Sequence, residues 1–251
     1  MGQQSKKGYA QQAKERRQQL DKEKKAKQRR QNKILFGVIG GVLAVILIAV
    51  LIVVVTRPKQ ATVEKYLDPS YVESGEQTDL VHLTVTYTNK ENQKVRGHIY
   101  LQLAPEVAPI TVANFKMLVA NGFYNGLTFH RIMPDFMIQG GDPKGDGTGG
   151  SGTNIKGEFS ANGVENNLSH KRGVLSMARG SYSMDSASSQ FFIVLEDSTY
   201  LDGNYAAFGY VVSGMETADE IANVELITVD SQTKKPAHPV TIESAVFVTH
   251  S

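Results

Sequence analysis

The stretch FHRIMPDFMIQGGD, residues 129–142, sets a guanidinium (Arg131), an imidazole (His130) and a carboxamide (Gln139) beside two adaptable apolar side chains, Phe136 and Met137. An arginine offers charge-assisted donors, and a glutamine can both donate and accept, so the group suits the holding of carbonyls or lone pairs. Taken alone, each residue has a plainer reading. Arg131 reads as a surface ion-pair partner, Phe136 as core, Gln139 as a satisfied polar group and His130 as either structural or a general base.

Other chemistries find little support. The chain has no cysteine, which excludes a disulfide framework, a thiol nucleophile and a cysteine-ligated metal. Its six histidines show no paired ligand spacing, so no metal is expected. Ser189 lacks the G-x-S-x-G elbow of a hydrolase. Gly145, Gly147 and Gly150 fit G-x-G-x-x-G, but the following SGTNIKGEFSANG has no amphipathic helical period, so the glycines read as loop and no cofactor is expected.

The elements that must position these residues begin near residue 79. From Leu80, apolar Val81, Leu83 and Val85 alternate with polar neighbours, the period of a half-buried strand, and a second strand follows at about 95–103 after a polar turn. Pro109 to Gly122 switches to helical spacing, with Val112, Phe115, Leu118 and Val119 on one face and Asn121-Gly122 as the stop. Short β-type runs then fall at 128–133, 136–140, 174–178, 191–195, 206–212 and 240–248, with a second helix at 216–224. Many short strands with two helices predict a mainly β fold, a closed antiparallel barrel that leaves no open edge.

The amino-terminal quarter is different. Residues 1–33 carry twelve Lys or Arg against three acids, so the rest of the chain carries −7 of the formal +2. Nucleic-acid binding by that acidic remainder is not expected. Ile34 to Val55 is uninterrupted by charge, and at about 1.5 Å per residue the run is long enough to cross a hydrocarbon core of about 30 Å. It reads as a transmembrane signal-anchor rather than a cleaved signal, whose apolar region is shorter. Lys27, Arg29, Arg30 and Lys33 place the tail in the cytoplasm and the remainder outside. Gly37 and Gly41 have the spacing of a small-residue helix-pairing motif. The expected order is a basic tail (1–33), a transmembrane helix (34–55), a linker (56–78) and one globular domain (79–251).

Residues 79–250 resemble the cyclophilin family of peptidyl-prolyl cis/trans isomerases. PITVANF (109–115), FHRIMPDFMIQGGD (129–142), GDGTGG (145–150), GVLSMAR (173–179), SSQFFIVL (188–195) and YLDGNYAAFGYV (200–211) occur in family order. The resemblance implies a closed eight-stranded barrel capped by two helices, with the active groove on its outer face. It implies Arg131, Gln139 and Phe136 as catalytic residues. It further implies that Met137, Ala178, Arg179, Gly180, Gln190, Phe192, Tyr200, Leu201 and Tyr205 bind substrate. Arg179, Tyr200 and Tyr205 stand where asparagine, tryptophan and histidine are common in eukaryotic members, and bacterial members look similar to this chain there. Tyr200 implies weakened cyclosporin binding.

The implied reaction breaks no bond. Rotation about an Xaa-Pro amide faces a barrier of about 18–20 kcal/mol, and useful turnover needs about 4–7 kcal/mol of preference for the twisted amide. The twisted prolyl nitrogen regains a lone pair that Arg131 can meet, while the ring needs an apolar slot. The expected partners are proline-containing chains, those of exported proteins at the outer face of a bacterial membrane. The competing expectation is a non-catalytic module that holds the same segments as a chaperone or scaffold.

Overall fold

The computed structural model describes residues 61–231 and 233–251, together with six residues between 22 and 29. The chain divides into two units, 1–59 and 60–251. In the first, Lys22, Lys24, Lys25, Lys27, Gln28 and Arg29 are helical and exposed. The expected transmembrane run 34–55, its glycine pair, most of the basic tail and the start of the expected linker lie outside the described residues. Among the described residues no helix is long and apolar enough to cross a membrane.

In the second unit twelve strands and two helices follow in chain order. The strands are β1 (Val63–Lys65), β2 (Tyr71–Glu73), β3 (Leu80–Thr88), β4 (Lys94–Leu103), β5 (Arg131–Met133) and β6 (Met137–Gly140). They continue as β7 (Val174–Met177), β8 (Phe191–Val194), β9 (Ala207–Ser213), β10 (Leu226–Asp230), β11 (Thr233–Pro236) and β12 (Thr241–His250). Helix α1 is Pro109–Ala120 and α2 is Met215–Ala222, matching the two helices expected from the sequence.

The main sheet runs β2-β12-β3-β4-β9-β7-β8-β6-β5. Backbone bonds also join the segment before β5 to β12: Gly126 N–H to Ile242 O (2.7 Å), Ile242 N–H to Leu127 O (2.8 Å) and Phe129 N–H to Val240 O (2.9 Å). Alternation along β3, β4, β6, β7 and β8 sends one set of side chains into a core where Phe115, Tyr124, Phe129, Phe191 and Phe208 are all buried. Phe191 meets Phe115, Tyr124 and Phe129 edge to face at 5.4–5.9 Å between ring centroids, the favoured aromatic geometry.

Helix α1 begins with Pro109, whose fixed φ suits a first turn, yet Ala108 supplies no side-chain cap. Glu158 does so from a distant loop: its buried carboxylate accepts Ile110 N–H (3.0 Å) and Thr111 N–H (2.7 Å). A negative charge at the positive end of the helix adds to those bonds.

The segment expected as a linker is docked on the sheet. β1 pairs in parallel with β4, and β2 pairs antiparallel with the end of β12. The docking is mostly polar, which is why no apolar period marks it. Glu64 bonds to His98 and pairs with Arg96, Lys65 and Tyr66 both meet Glu220 at 2.8 Å, and Asp68 accepts from Ser213 (2.7 Å). Inside that contact His82 Nε2 lies 2.7 Å from His98 Nδ1, and His82 stacks on Tyr100, which stacks on Tyr71 of β2. The second hairpin, β10–β11, was not expected either; β11 packs beside β5.

Two predictions follow from these contacts. Burial, with the neighbouring His98, lowers the His82 pKa from 6.5 to about 4. The fold therefore favours the neutral imidazole, and that contribution is complete above about pH 6.5 and is lost as pH falls toward about 4. The melting temperature should drop across that interval, and drop less in His82→Gln; equal slopes would refute the assignment. Gly141, after β6, has φ +82°, and a Cβ there would overlap the Ser189 carbonyl oxygen. Gly141→Ala should cost about 1–3 kcal/mol in chemical denaturation, whereas a change within about 0.5 kcal/mol would show that the backbone relaxes freely.

Candidate active site

The outer face of the same strands carries a second, smaller apolar cluster. Met137, Val174, Phe192, Val194, Leu201 and Ala207 form it, with Met133, Phe136, Ala178 and Tyr205 packed against its edge. The registers explain the grouping. Arg131 is opposite Gln139, Met133 is opposite Met137, Gln139 is opposite Phe192 and Ser176 is opposite Phe192, so all project to one face. Their chain neighbours Ile132, Ile138, Ile193 and Leu175 enter the core instead.

Over this cluster opens a cavity of about 440 Å³ lined by Arg131, Phe136, Met137, Gln139, Ala178, Arg179, Phe192, Tyr200, Leu201 and Tyr205. A second, of about 690 Å³, shares Gln139, Ala178 and Arg179 with the first and adds Gly180 and Gln190. Every residue expected at the site thus lines one or both. Phe192 and Leu201 form an apolar floor and Phe136 a wall, while Tyr200, 69% exposed, stands at the rim.

Polar groups along one side form a directed chain. Arg131 Nη1–H donates to Gln139 Oε1 (3.1 Å), Gln139 Nε2–H to Gln190 Oε1 (2.8 Å), and Gln190 Nε2–H to the carbonyls of Gly147 (3.0 Å) and Gly149 (2.8 Å). Both carboxamides are thereby fixed in orientation. Burial lowers the Arg131 pKa, with the Asp230 carboxylate pulling the other way, and the guanidinium remains charged. Arg131 also lies 3.9 Å from Met137 Sδ.

The loop that ends the chain is organised by Asp142. Its buried carboxylate accepts Lys144 N–H (2.8 Å), Asp146 N–H (3.1 Å) and Gly147 N–H (2.6 Å). A Cβ on Gly149 would overlap that carboxylate, so the glycines serve a loop, as their sequence context suggested.

Behind Phe192 lies a network that no sequence motif marks. His170 Nδ1 is 2.8 Å from Asp202 Oδ1 and its Nε2 2.9 Å from Ser176 Oγ. Its ring lies 6.2 Å from that of Phe192 at 18°. Burial lowers the His170 pKa against the pull of Asp202. Nδ1–H then donates to the carboxylate and Nε2 accepts from the serine. Ser176 is fully buried, so this network supports the slot floor and has no open nucleophile. Ser176 sits inside a quoted motif, but nothing in its spacing ties it to His170. Ser231, at the reversal of β10–β11, is a further lining residue that no sequence signal indicated. Both ring nitrogens of His130 are buried, and that burial lowers its pKa against the pull of Asp142 and of the Thr128 backbone.

Comparison with known proteins agrees with this geometry. Residues 85–247 match the family model described as cyclophilin type peptidyl-prolyl cis-trans isomerase/CLD. Peptidyl-prolyl cis-trans isomerase B of Bacillus subtilis is 47% identical over 129 residues, 51% of this chain and 86% of that protein. Peptidyl-prolyl cis-trans isomerase ppi1 of Schizosaccharomyces pombe is 42% identical over 159 residues, 63% and 97% of the two chains. Among solved structures, a cyclophilin type peptidyl-prolyl cis-trans isomerase of Cryptosporidium parvum, crystallised with the dipeptide Ala-Pro, superposes with a TM-score of 0.53 at 31% identity. It covers 67% of this chain and 99% of that one. A mainly β sheet with an apolar slot beside a fixed arginine, and a family match across most of that sheet, have one common reading: the chain belongs to the cyclophilin-type peptidyl-prolyl cis-trans isomerases.

Proposed function

We propose that this isomerase accelerates rotation of Xaa-Pro bonds in exported polypeptides at the outer face of a membrane, with Arg131, Gln139 and Phe136 as its catalytic residues. The observation that carries the catalytic part is the chain of bonds from Arg131 through Gln139 to Gln190, set along an apolar slot. The substrate's pyrrolidine ring enters between Phe136, Met137, Phe192 and Leu201. As the amide twists, its nitrogen loses resonance and gains a lone pair, which an N–H of Arg131 meets. That bond is weak to the planar amide and strong to the twisted one, the difference that lowers a barrier. Gln139 has a second Nε2 hydrogen for a substrate carbonyl, and its orientation is set in advance by both neighbours. Backbone groups at Ala178–Gly180 hold the flanking chain as an extended strand.

The same reading takes β3–β9 and β12, eight strands, as a closed barrel. It is supported by the bonds from Gly126, Leu127 and Phe129 to β12. The membrane setting rests on the apolar run Ile34–Val55 and the basic flank before it. Weakened cyclosporin affinity rests on Tyr200, whose single ring offers less contact than an indole.

Exchange of an Xaa-Pro peptide measured by magnetisation transfer tests the mechanism. Arg131→Ala should lower kcat/KM by about 10²–10³-fold, the size seen when one donor to a developing charge is removed. No acceleration by the unaltered protein would favour the binding-module reading, and acceleration that survives the substitution would remove Arg131 from the mechanism. Protease added to intact cells should digest or release residues 79–251; full protection would overturn the topology.

A further inference from the structure

Arg179 stands where the two cavities meet, and its guanidinium is held from several sides. Nε–H donates to the Asn204 carbonyl (2.9 Å) and Nη1–H to the Gly180 carbonyl (3.2 Å). The Tyr205 ring lies 4.9 Å from the guanidinium carbon and the Phe159 ring 5.3 Å. These are neutral partners; among the described residues no carboxylate lies within ion-pair distance of Arg179. A guanidinium stacked on aromatic rings and tied to carbonyls has little freedom to move away.

The larger cavity extends from that point. Its charged lining consists of Arg179 and Lys144, both cations. The nearby carboxylates accept neutral donors, which favour their ionised form, and they sit at the Lys144 end of the cavity. Asp142 is buried under three backbone N–H groups, and Asp146 accepts the N–H (2.9 Å) and hydroxyl (2.7 Å) of Thr148. Lys144 Nζ lies 3.4 Å from the Thr148 hydroxyl and is attracted by the Asp146 carboxylate, so Arg179 is the less compensated of the two cations. A pocket of about 690 Å³ with neutral polar walls and Arg179 at the end next to the slot favours a carboxylate over an ammonium at that end.

We propose that Arg179 and Lys144 are specificity-determining residues: the larger cavity takes the side chain of a residue flanking the proline and selects an acidic one. The inference rests on the isomerase reading, because it requires the substrate's proline to occupy the neighbouring slot. Arg179 and Tyr205 are two of the three positions at which this chain departs from the common eukaryotic pattern. In this chain the two are in contact, the ring 4.9 Å from the guanidinium carbon.

The test uses the purified full-length protein and a set of peptides with Glu, Gln or Lys one or two residues before the proline, or one after it. At low salt, kcat/KM for Glu over Lys should reach about fivefold at one of these positions, the scale of a part-exposed ion pair, and should fall toward one in about 1 M salt. Lys144→Gln, at an exposed position, should reduce the ratio, and Arg179→Gln should reduce it further. A ratio near one at all three positions in the unaltered protein overturns the proposal while leaving the isomerase reading intact. A ratio that persists in the doubly substituted protein overturns it too. Should no peptide be accelerated, the isomerase reading falls, and dissociation constants of the same peptides decide the charge preference in the same way.

Discussion

A guanidinium held half-buried beside an apolar slot is tolerable only if the polar groups around it are satisfied, and here that satisfaction runs in one direction. Arg131 donates to Gln139, Gln139 to Gln190, and Gln190 to two loop carbonyls. A reversed carboxamide anywhere in the series would set two donors or two acceptors face to face, which is costly where water is scarce. The loop that receives the last bonds is itself shaped by Asp142, whose carboxylate gathers three backbone N–H groups. One arginine thus imposes requirements on two strands, the residue before a third, and a glycine-rich loop.

The sheet resolves a related problem. A strand buried on its inner face still presents every second side chain outward, and here those outward residues of β5, β6, β7 and β8 form an apolar cluster. The cluster floors the smaller cavity, backed by His170, Ser176 and Asp202 in place of a second layer of structure. Core and site are therefore two sides of the same four strands. A change of register by one residue would exchange Phe192 with Phe191 and destroy both.

Much of this is legible in the sequence, for identifiable reasons. Alternation locates β3 and β4, helical spacing locates α1, and six ordered motifs fix the family and bring every expected groove residue to the cavities. What escapes is whatever depends on partners far apart in the chain. Glu158 caps the first turn of a helix through Ile110, 48 residues earlier. His170 meets Asp202 across 32 residues, and no local pattern announces either pair. β1 and β2 have three residues each and dock through Glu64, Lys65, Tyr66 and Asp68, so their composition resembles that of a free linker. Hydrophobic periodicity is blind to elements held by charge and hydroxyl groups. The apolar run at 34–55 is the opposite case: its composition speaks plainly, and it lies outside the described residues.

The docked segment also fixes how the domain is fastened on its amino-terminal side. From Ala61 the chain meets β1 first, which lies parallel to β4. Next in line are the Lys65 and Tyr66 contacts to Glu220, then Asp68 with Ser213, then β2 along β12. Those fastenings lie on β4, α2, β9 and β12, apart from the four strands β5–β8 whose outward residues face the slot.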